Sequence, residues 1–506
     1  MNKTVKRLVL AAFAAAAALV PMQAEHLVVI AANDTHSQIE PASDGQGGIL
    51  RRRAIYDKIR SENPNTITVH AGDAVQGTVF FSLYEGEVEY SLMDSLGYDI
   101  IILGNHEFDN GIESVAKYYK NIRAKKLSAN YDMSGTCLDG MFEPYVIKRY
   151  GDKKVGFIGI NVQPAGLIGE RNYAGMHYLP SIDVADATAK YLKEVQKVDY
   201  VVMISHIGYT SYDPEETNDV DIIKASHYID VVIGGHSHTT VKPGTEMATV
   251  KNADGRLIPI GQNGKSGKLV ATYDIDLETG KVEYKHYKVD ETWDVAAKKY
   301  DALDHWLDHY RAGVDSLMNN PLCESVRFMK NSSPALQNWV SDITMDIIKP
   351  LSGINDVQFA IMNKGGIRTD MPQGTVTEGL LMSMFPFDNR FVVLEITGQD
   401  LLDGLKVMAG RDGDAMSKGL KVTYNAKGEI TSAKVNGKKV DPKKTYKMVT
   451  IDYLANGGDY MVSFKKAKRL YVDDVKYGNH VIEYAKNLSK LGKKINSTDE
   501  VRMMKK

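Results

Sequence analysis

Asp99-Ile100-Ile101-Ile102-Leu103 runs without a break into Gly104-Asn105-His106-Glu107-Phe108-Asp109. The apolar run has the length and β-branched content of a buried strand. The polar run puts an amide, an imidazole and two carboxylates directly after it, opened by a glycine. Four other apolar runs end in the same way. Leu27–Ala32 precedes Asn33-Asp34-Thr35-His36, and Thr66–His70 precedes Gly72-Asp73. Tyr200–Ile204 precedes Ser205-His206, and Ile229–Ile233 precedes Gly235-His236-Ser237-His238. Open α/β sheets hold their ligands outside the carboxyl ends of their strands. Five polar clusters, distant in sequence, are therefore expected to converge on one cleft.

Helical candidates lie between these runs: Gly48–Arg60, Val88–Leu96, Ile112–Ile122, Asp183–Val195 and Val220–Ala225, with a further strand at Val155–Ile160. Buried strands interleaved with helices predict an α/β protein with at least part of its sheet parallel. At 506 residues the chain is too long for one ordinary core, so two large domains are expected. Between Ala296 and Asn320, Tyr300, Leu303, Trp306, Leu307 and Tyr310 recur at helical spacing. This stretch reads equally well as an interdomain helix or as the last helix of the first domain. A second α/β unit begins near Ser333-Pro334. It has helices at Ala335–Ile348, Thr377–Met384 and Gly398–Met408, and strands at Val357–Met362, Phe391–Ile396 and Tyr446–Ile451. A hairpin-like stretch spans Leu420–Val440. The resulting division is 25–295, a linking segment 296–330, and 331–506.

Composition narrows the function classes. Hydrophobic residues make up 43% and charged residues 25%, the balance of a globular protein. The net charge of −2 gives no support to a nucleic-acid-coating role, which needs a basic stripe. Lys3, Lys6 and Arg7 precede the apolar run Leu8–Val20 and then Pro21-Met22-Gln23-Ala24, the pattern of a secretory leader cleaved near Ala24. The run is short against the roughly 20 residues of a spanning helix, so an exported chain with no membrane span is expected, periplasmic or extracellular. Cys137 and Cys323 are the only cysteines, and a bridge and two free thiols are equally compatible with the sequence.

The clusters offer Asp34, His36, Asp73, Asn105, His206, His236 and His238 as ligands, with His106 and Asp109 beside them. That exceeds what one ion needs and suits two divalent cations sharing a carboxylate. Asp73, with two oxygens, is the natural bridge, and Asn105 is a neutral hard ligand. Asp34-x-His36 and His236-x-His238 are read as continuing the strands before them, so that alternate side chains face one ion. Gly235 lets the backbone approach closely.

Asn33-Asp34-Thr35-His36, Ala71-Gly72-Asp73, Gly104-Asn105-His106-Glu107-Phe108-Asp109, Ser205-His206 and Gly234-Gly235-His236-Ser237-His238 resemble the calcineurin-like metallophosphoesterase signature in its 5′-nucleotidase branch. Asn363-x-Gly365-Gly366-Ile367-Arg368 and Leu454-Ala455-Asn456-Gly457-Gly458-Asp459 resemble the C-terminal domain of that branch. The resemblance implies a four-layer α/β/β/α catalytic domain and a second α/β domain that binds substrate, joined by a helix. It puts Asp34, His36, Asp73 and His238 on one metal, and Asp73, Asn105, His206 and His236 on the other. Some members carry Gln at the position of His238, and either can ligate. Zinc or manganese are the first candidates, with iron, cobalt or magnesium behind them. Two such cations lower the pKa of a shared water, which attacks phosphorus opposite the leaving alkoxide. His106, oriented by Asp109, is the expected proton donor to that alkoxide.

In the second domain the resemblance makes Arg368 a phosphate-binding arginine and Tyr453 one wall of a nucleobase sandwich. Asp459 is placed to accept from ribose hydroxyls, and Arg390 and Arg411 are further candidate substrate arginines. The second aromatic wall is not evident, with Met416 as its apolar substitute, and Lys364 adds a charge where relatives have a small residue. The expected substrates are nucleoside monophosphates, with nucleotide sugars or 2′,3′-cyclic nucleotides as further members. The alternatives are a sugar phosphate or sulfur ester on the same centre, or a non-catalytic exported nucleotide-binding or adhesive protein.

Overall fold

The computed structural model describes residues 26–211 and 216–506. The leader reading of residues 1–24 lies outside them. Two six-stranded sheets stack face to face in the N-terminal half. In the first, the strands His26–Ala32, Thr66–His70, Ile100–Ile102 and Lys125–Leu127 run parallel. The antiparallel strands Leu269–Asp276 and Val282–Lys288 complete its other edge. In the second, Lys153–Asn161, Tyr200–His206, Val231–Ile233 and Leu257–Gly261 run parallel, flanked by Tyr145–Tyr150 and Thr249–Lys251.

Period-2 alternation assigns each layer. Along His26–Ala32, the residues Leu27, Val29 and Ala31 face the opposite sheet, where Phe157, Val202, Ile204, Val231 and Ile233 meet them. Val28, Ile30 and Ala32 face the other way, onto Ile55 and Ile59 of the helix Ile49–Glu62 and Leu92 and Leu96 of the helix Glu87–Leu96. On the far side, Val201 and Met203 pack against Ala185, Ala189 and Leu192 of the helix Ser181–Glu194. Helix, sheet, sheet, helix is the expected four-layer order. Strands buried on both faces explain the near-continuous apolar runs in the sequence.

The helix Asp301–Met318 lays Leu303, Leu307, Tyr310 and Val314 on the core of the first domain. Its far end abuts the helix Glu378–Met384 of the second, where a Cβ on Gly379 would come within 3.0 Å of Met318 N. The second domain is a five-stranded sheet ordered Ala415–Met416, Phe359–Met362, Thr445–Ile451, Arg390–Thr397 and Lys468–Lys476. A four-stranded sheet accompanies it, and the helices Pro334–Ser352, Gly398–Gly410 and Tyr477–Lys490 cover a single apolar core. Cys137 is exposed, Cys323 is buried, and both are free. Among the described residues no helix is long and apolar enough to cross a membrane.

Candidate metal centre and interdomain cavity

The strands stop before the ligands do. His26–Ala32 ends two residues short of Asp34, and Asp34 and His36 each have φ of +47°. Asp73 at +56°, His236 at +82° and His238 at +55° are also left-handed. Continuation of the strand, the reading given to Asp34-x-His36 and His236-x-His238, is therefore corrected. These side chains converge because left-handed turns fold back over the strand ends. Asp, Asn and His are the non-glycine residues that enter this region most readily, at a cost of order 1 kcal/mol each. Gly235 does allow the close approach expected of it, since a Cβ there would lie 2.6 Å from Ala71 O and 2.7 Å from His206 Nδ1.

Two ligand groups result. In the first, His36 Nε2 and His238 Nε2 are 2.9 Å apart, and Asp34 Oδ1 lies 3.4 Å from the latter and 3.8 Å from the former. In the second, His206 Nε2 is 3.1 Å from Asp73 Oδ2, and His236 Nδ1 is 2.9 Å from Asn105 Oδ1. Asp73 Oδ2 is also 4.0 Å from His36 Nε2, so one carboxylate stands between the groups. The donor atoms of Asp34, His36 and His238, and separately those of Asp73, His206 and His236, lie within 4.8 Å of one another.

The donor chemistry fits divalent cations. His206 Nδ1 donates to Ala71 O at 2.7 Å, which leaves Nε2 bare, buried and without a hydrogen-bond partner while aimed at a carboxylate. Burial alone would depress this imidazole, yet the Asp73 carboxylate pulls it up to about 10. Without a cation the pair is met by a protonated His206, and a divalent ion between the two groups would take that proton's place. His36 and His236 are pushed down by burial, His236 to about 3, which keeps them neutral and able to ligate. Asp34 is held at about 2 and Asp73 well below the carboxylate range, because the surrounding imidazoles outweigh their burial. Mixed imidazole, carboxylate and amide donors suit zinc, manganese or iron.

Two positioning residues were missed from the sequence. Glu107, 2% exposed, accepts backbone N–H groups from Asp73 at 2.9 Å, Ala74 at 2.8 Å and Gly104 at 2.5 Å. It pins two ligand loops to each other. Asn33 donates to Asp34 Oδ2 at 2.5 Å, and the His236 N–H donates to the same oxygen at 3.0 Å. The signal was a polar residue inside each ligand cluster with no ligand role of its own.

His106 stands beside the centre, its Nδ1 3.0 Å from Asp109 Oδ2. Burial lowers its pKa, but Asp109 and Asp73 outweigh burial and raise it above the usual histidine value. His106, Asp109 and Asn105 line a cavity of about 210 Å³ whose opposite wall comes from the second domain: Arg368, Phe387, Tyr453 and Asp459. Arg368 donates to Gln76 Oε1 at 3.0 Å and stacks over the Phe387 ring at 5.7 Å. Tyr453 Oη lies 2.9 Å from Asp459 Oδ1 and 3.2 Å from Gly166 O across the domain boundary.

Three expected substrate residues stand elsewhere in this arrangement. Arg390 is held by Asp388 at 3.2 Å and Asp474 O at 3.2 Å. Arg411 is held by Asp414 at 2.8 Å and Asp459 O at 2.6 Å. Neither lines the cavity, because acidic neighbours already hold both guanidinium groups. Met416 is 1% exposed and paired with Ile361 inside the sheet, so it is core and not a wall for a base. The aromatic ring that lines the cavity together with Tyr453 is Phe387, in the loop Pro386-Phe387-Asp388-Asn389, where no periodicity marks it.

The family described as calcineurin-like phosphoesterase matches residues 27–240, and the 5′-nucleotidase C-terminal domain matches residues 319–466. The chain belongs to the 5′-nucleotidase family. It is 27% identical to an apyrase of Tabanus yao, over 91% of this chain and 91% of that protein. It is 27% identical to a snake venom 5′-nucleotidase of Gloydius brevicauda, over 86% and 81%. The crystal structure of a 5′-nucleotidase precursor from Thermus thermophilus superposes with a TM-score of 0.80 at 26% identity, covering 95% of this chain and 99% of that one. This member of the 5′-nucleotidase family is accordingly a phosphoric ester hydrolase, and its His and Asp clusters are where divalent metal fits.

Proposed function

We propose that the protein is an exported 5′-nucleotidase-type phosphohydrolase with two divalent cations, acting on nucleoside monophosphates and, more broadly, on nucleotide sugars or 2′,3′-cyclic nucleotides. One observation carries this reading: the cavity that opens on Asn105, His106 and Asp109 is closed by Arg368 and Tyr453 from the other domain. Asp34, His36, Asp73 and His238 would hold one cation, and Asp73, Asn105, His206 and His236 the other. When bound, the cations supply charge neutralisation and a water of lowered pKa.

The chain's own residues do the rest. Arg368 neutralises phosphoryl charge, and Phe387 under it keeps the guanidinium from swinging away. His106, its Nδ1 fixed by Asp109, presents Nε2 to the cavity and gives its proton to the leaving oxygen. Tyr453 offers a ring face to a nucleobase, and Asp459 accepts from a ribose hydroxyl. Arg390 and Arg411, held by Asp388 and Asp414 of their own domain, would take part only by exchanging those acids for the substrate's charge. We take 25–295 as the catalytic domain, 296–330 as the connecting segment and 331–506 as the substrate domain, with rotation about the connection.

The test is a phosphate-release panel: adenosine and uridine monophosphates, a uridine diphosphate sugar, a cyclic nucleotide and a sugar phosphate. Each is run with chelator and with zinc, manganese, cobalt or magnesium restored. Preferred release from the monophosphates, abolished by chelation, is expected. Release that survives chelation, or a preference for the sugar phosphate, would replace the reading.

A further inference from the structure

A second interdomain cavity, of about 240 Å³, lies on the other side of Arg368. Gly365 and Arg368 form the wall it shares with the first. Its remaining lining includes His36, Lys265, Ser266, Ser332 and Lys364, and no carboxylate. His36 connects it to the metal centre, and none of the first cavity's nucleoside-side residues, Tyr453, Asp459 and Phe387, reaches it.

The charges around it are unusual. Among the described residues Lys265 has no ion-pair partner and no side-chain hydrogen bond. Lys364 donates to the Arg411 backbone carbonyl and pairs with no acid. Arg368 bonds to Gln76 and to Gly365 O at 3.4 Å, again with no carboxylate partner. Elsewhere the cations of this chain find acids readily: Lys268, three residues from Lys265, pairs with Asp44 at 2.5 Å, and Arg411 pairs with Asp414. Asp34 acts on Lys265, and Asp109 and Asp73 on Arg368, only at a distance, so three cations without a direct acid partner around one void favour an anion between them. Ser266 and Ser332 add hydroxyl donors, and the void has room for an oxyanion and bridging waters.

We propose that the cavity between Lys265, Lys364 and Arg368 is a phosphate subsite separate from the nucleoside path, through which the phosphate released at the metal centre departs. An exit on the His36 side lets phosphate leave while the nucleoside still fills the cavity on the His106 side. The naming of the ligand rests on the phosphohydrolase reading, whereas anion binding at this place does not. The shared chemistry is a phosphoryl dianion, and its second source is an additional phosphoryl group of a longer substrate reaching across Arg368.

The experiment has a turnover-independent arm. Inorganic phosphate is titrated calorimetrically into metal-free full-length protein, wild type and K265Q/K364Q, with K265R/K364R as the charge-retaining control. The expected result is binding to the wild type, weakened about tenfold or more by the glutamine pair and restored by the arginine pair. No binding to the wild type, or binding unchanged in the glutamine pair, overturns the proposal. Because Lys364 also braces the Arg411 backbone, the single variant K265Q is titrated too, and it must weaken binding by itself. The second arm measures inhibition of metal-loaded enzyme by phosphate and the ratio of kcat/KM for adenosine diphosphate to that for the monophosphate. A raised inhibition constant with an unchanged ratio supports the exit route. A fallen ratio with unchanged inhibition overturns that route and assigns the subsite to the substrate's second phosphoryl group. A wild type that binds phosphate but hydrolyses no nucleotide would refute the proposed function and leave the subsite standing.

Discussion

In the proposed mechanism proton transfer depends on His106 and Asp109, and their 3.0 Å contact makes that dependence measurable. Substituting His106 by Asn should lower kcat on a nucleoside monophosphate by about 10²–10⁴-fold. The loss should be much smaller on a nitrophenyl phosphate, whose leaving group needs no proton. Equal losses on both substrates would remove His106 from the acid role. A second histidine, outside the candidate ligands, sets a pH limit on stability. His286 is half-buried in the strand Val282–Lys288 with Nε2 2.6 Å from Tyr284 Oη, and burial drops its pKa to about 4. Its folded value lies below the unfolded one near 6.5, so between those limits the unfolded chain binds the extra proton. Its contribution is complete above about pH 6.5 and is lost as pH falls toward 4. Urea midpoints from pH 4.5 to 7 should slope less in His286→Gln than in wild type, and parallel curves would refute this.

At the scale of elements, the loop after Ile100–Ile102 is organised by Glu107 rather than by its ligand. Replacing Glu107 with Ala leaves three buried N–H groups without an acceptor and should cost about 3 kcal/mol. Thermal melts would show this as a lower Tm in metal-free and metal-loaded protein alike. A drop confined to the loaded form would mean that Glu107 tunes the metal instead. The same loop shows what the sequence could and could not convey. Strands buried on both faces are legible because Leu27–Ala32 and Tyr200–Ile204 are apolar without interruption. Leu269–Asp276 escaped notice, since its Thr272, Asp274 and Asp276 break the run and no ligand cluster follows it. The side chains that meet at the strand ends were legible from residue type, yet the reason for their convergence was not. Backbone sign at Asp34 or His238 is a tertiary property that alternation rules do not carry. Phe387 and the engagement of Arg411 by Asp414 were hidden for a similar reason, because both depend on loops packing across sequence distance.

For the whole molecule, substrate must enter between domains that are closed on each other. Asp459 N–H donates to Gly166 O at 2.7 Å, Arg171 reaches Asp388 at 3.4 Å, and Lys465 pairs with Glu170. Cysteines at positions 170 and 465, in a Cys137→Ser background, would tie this edge shut when oxidised. Turnover should fall at least tenfold on oxidation and return on reduction, while zinc binding stays unchanged. Undiminished turnover in the oxidised protein would mean that exchange occurs without rotation.

The left-handed backbone at Asp34, His36, Asp73, His236 and His238 also limits how this centre can be rebuilt. Any residue placed there must satisfy the turn before it can serve the cation. A saturation library at those five positions should therefore return a small alphabet of asparagine, aspartate, glycine and histidine. Glutamate and cysteine, capable donors in other proteins, should drop out for conformational reasons. The chain geometry then selects which elements of the periodic table the pocket can favour, by deciding which donors are permitted to stand in it.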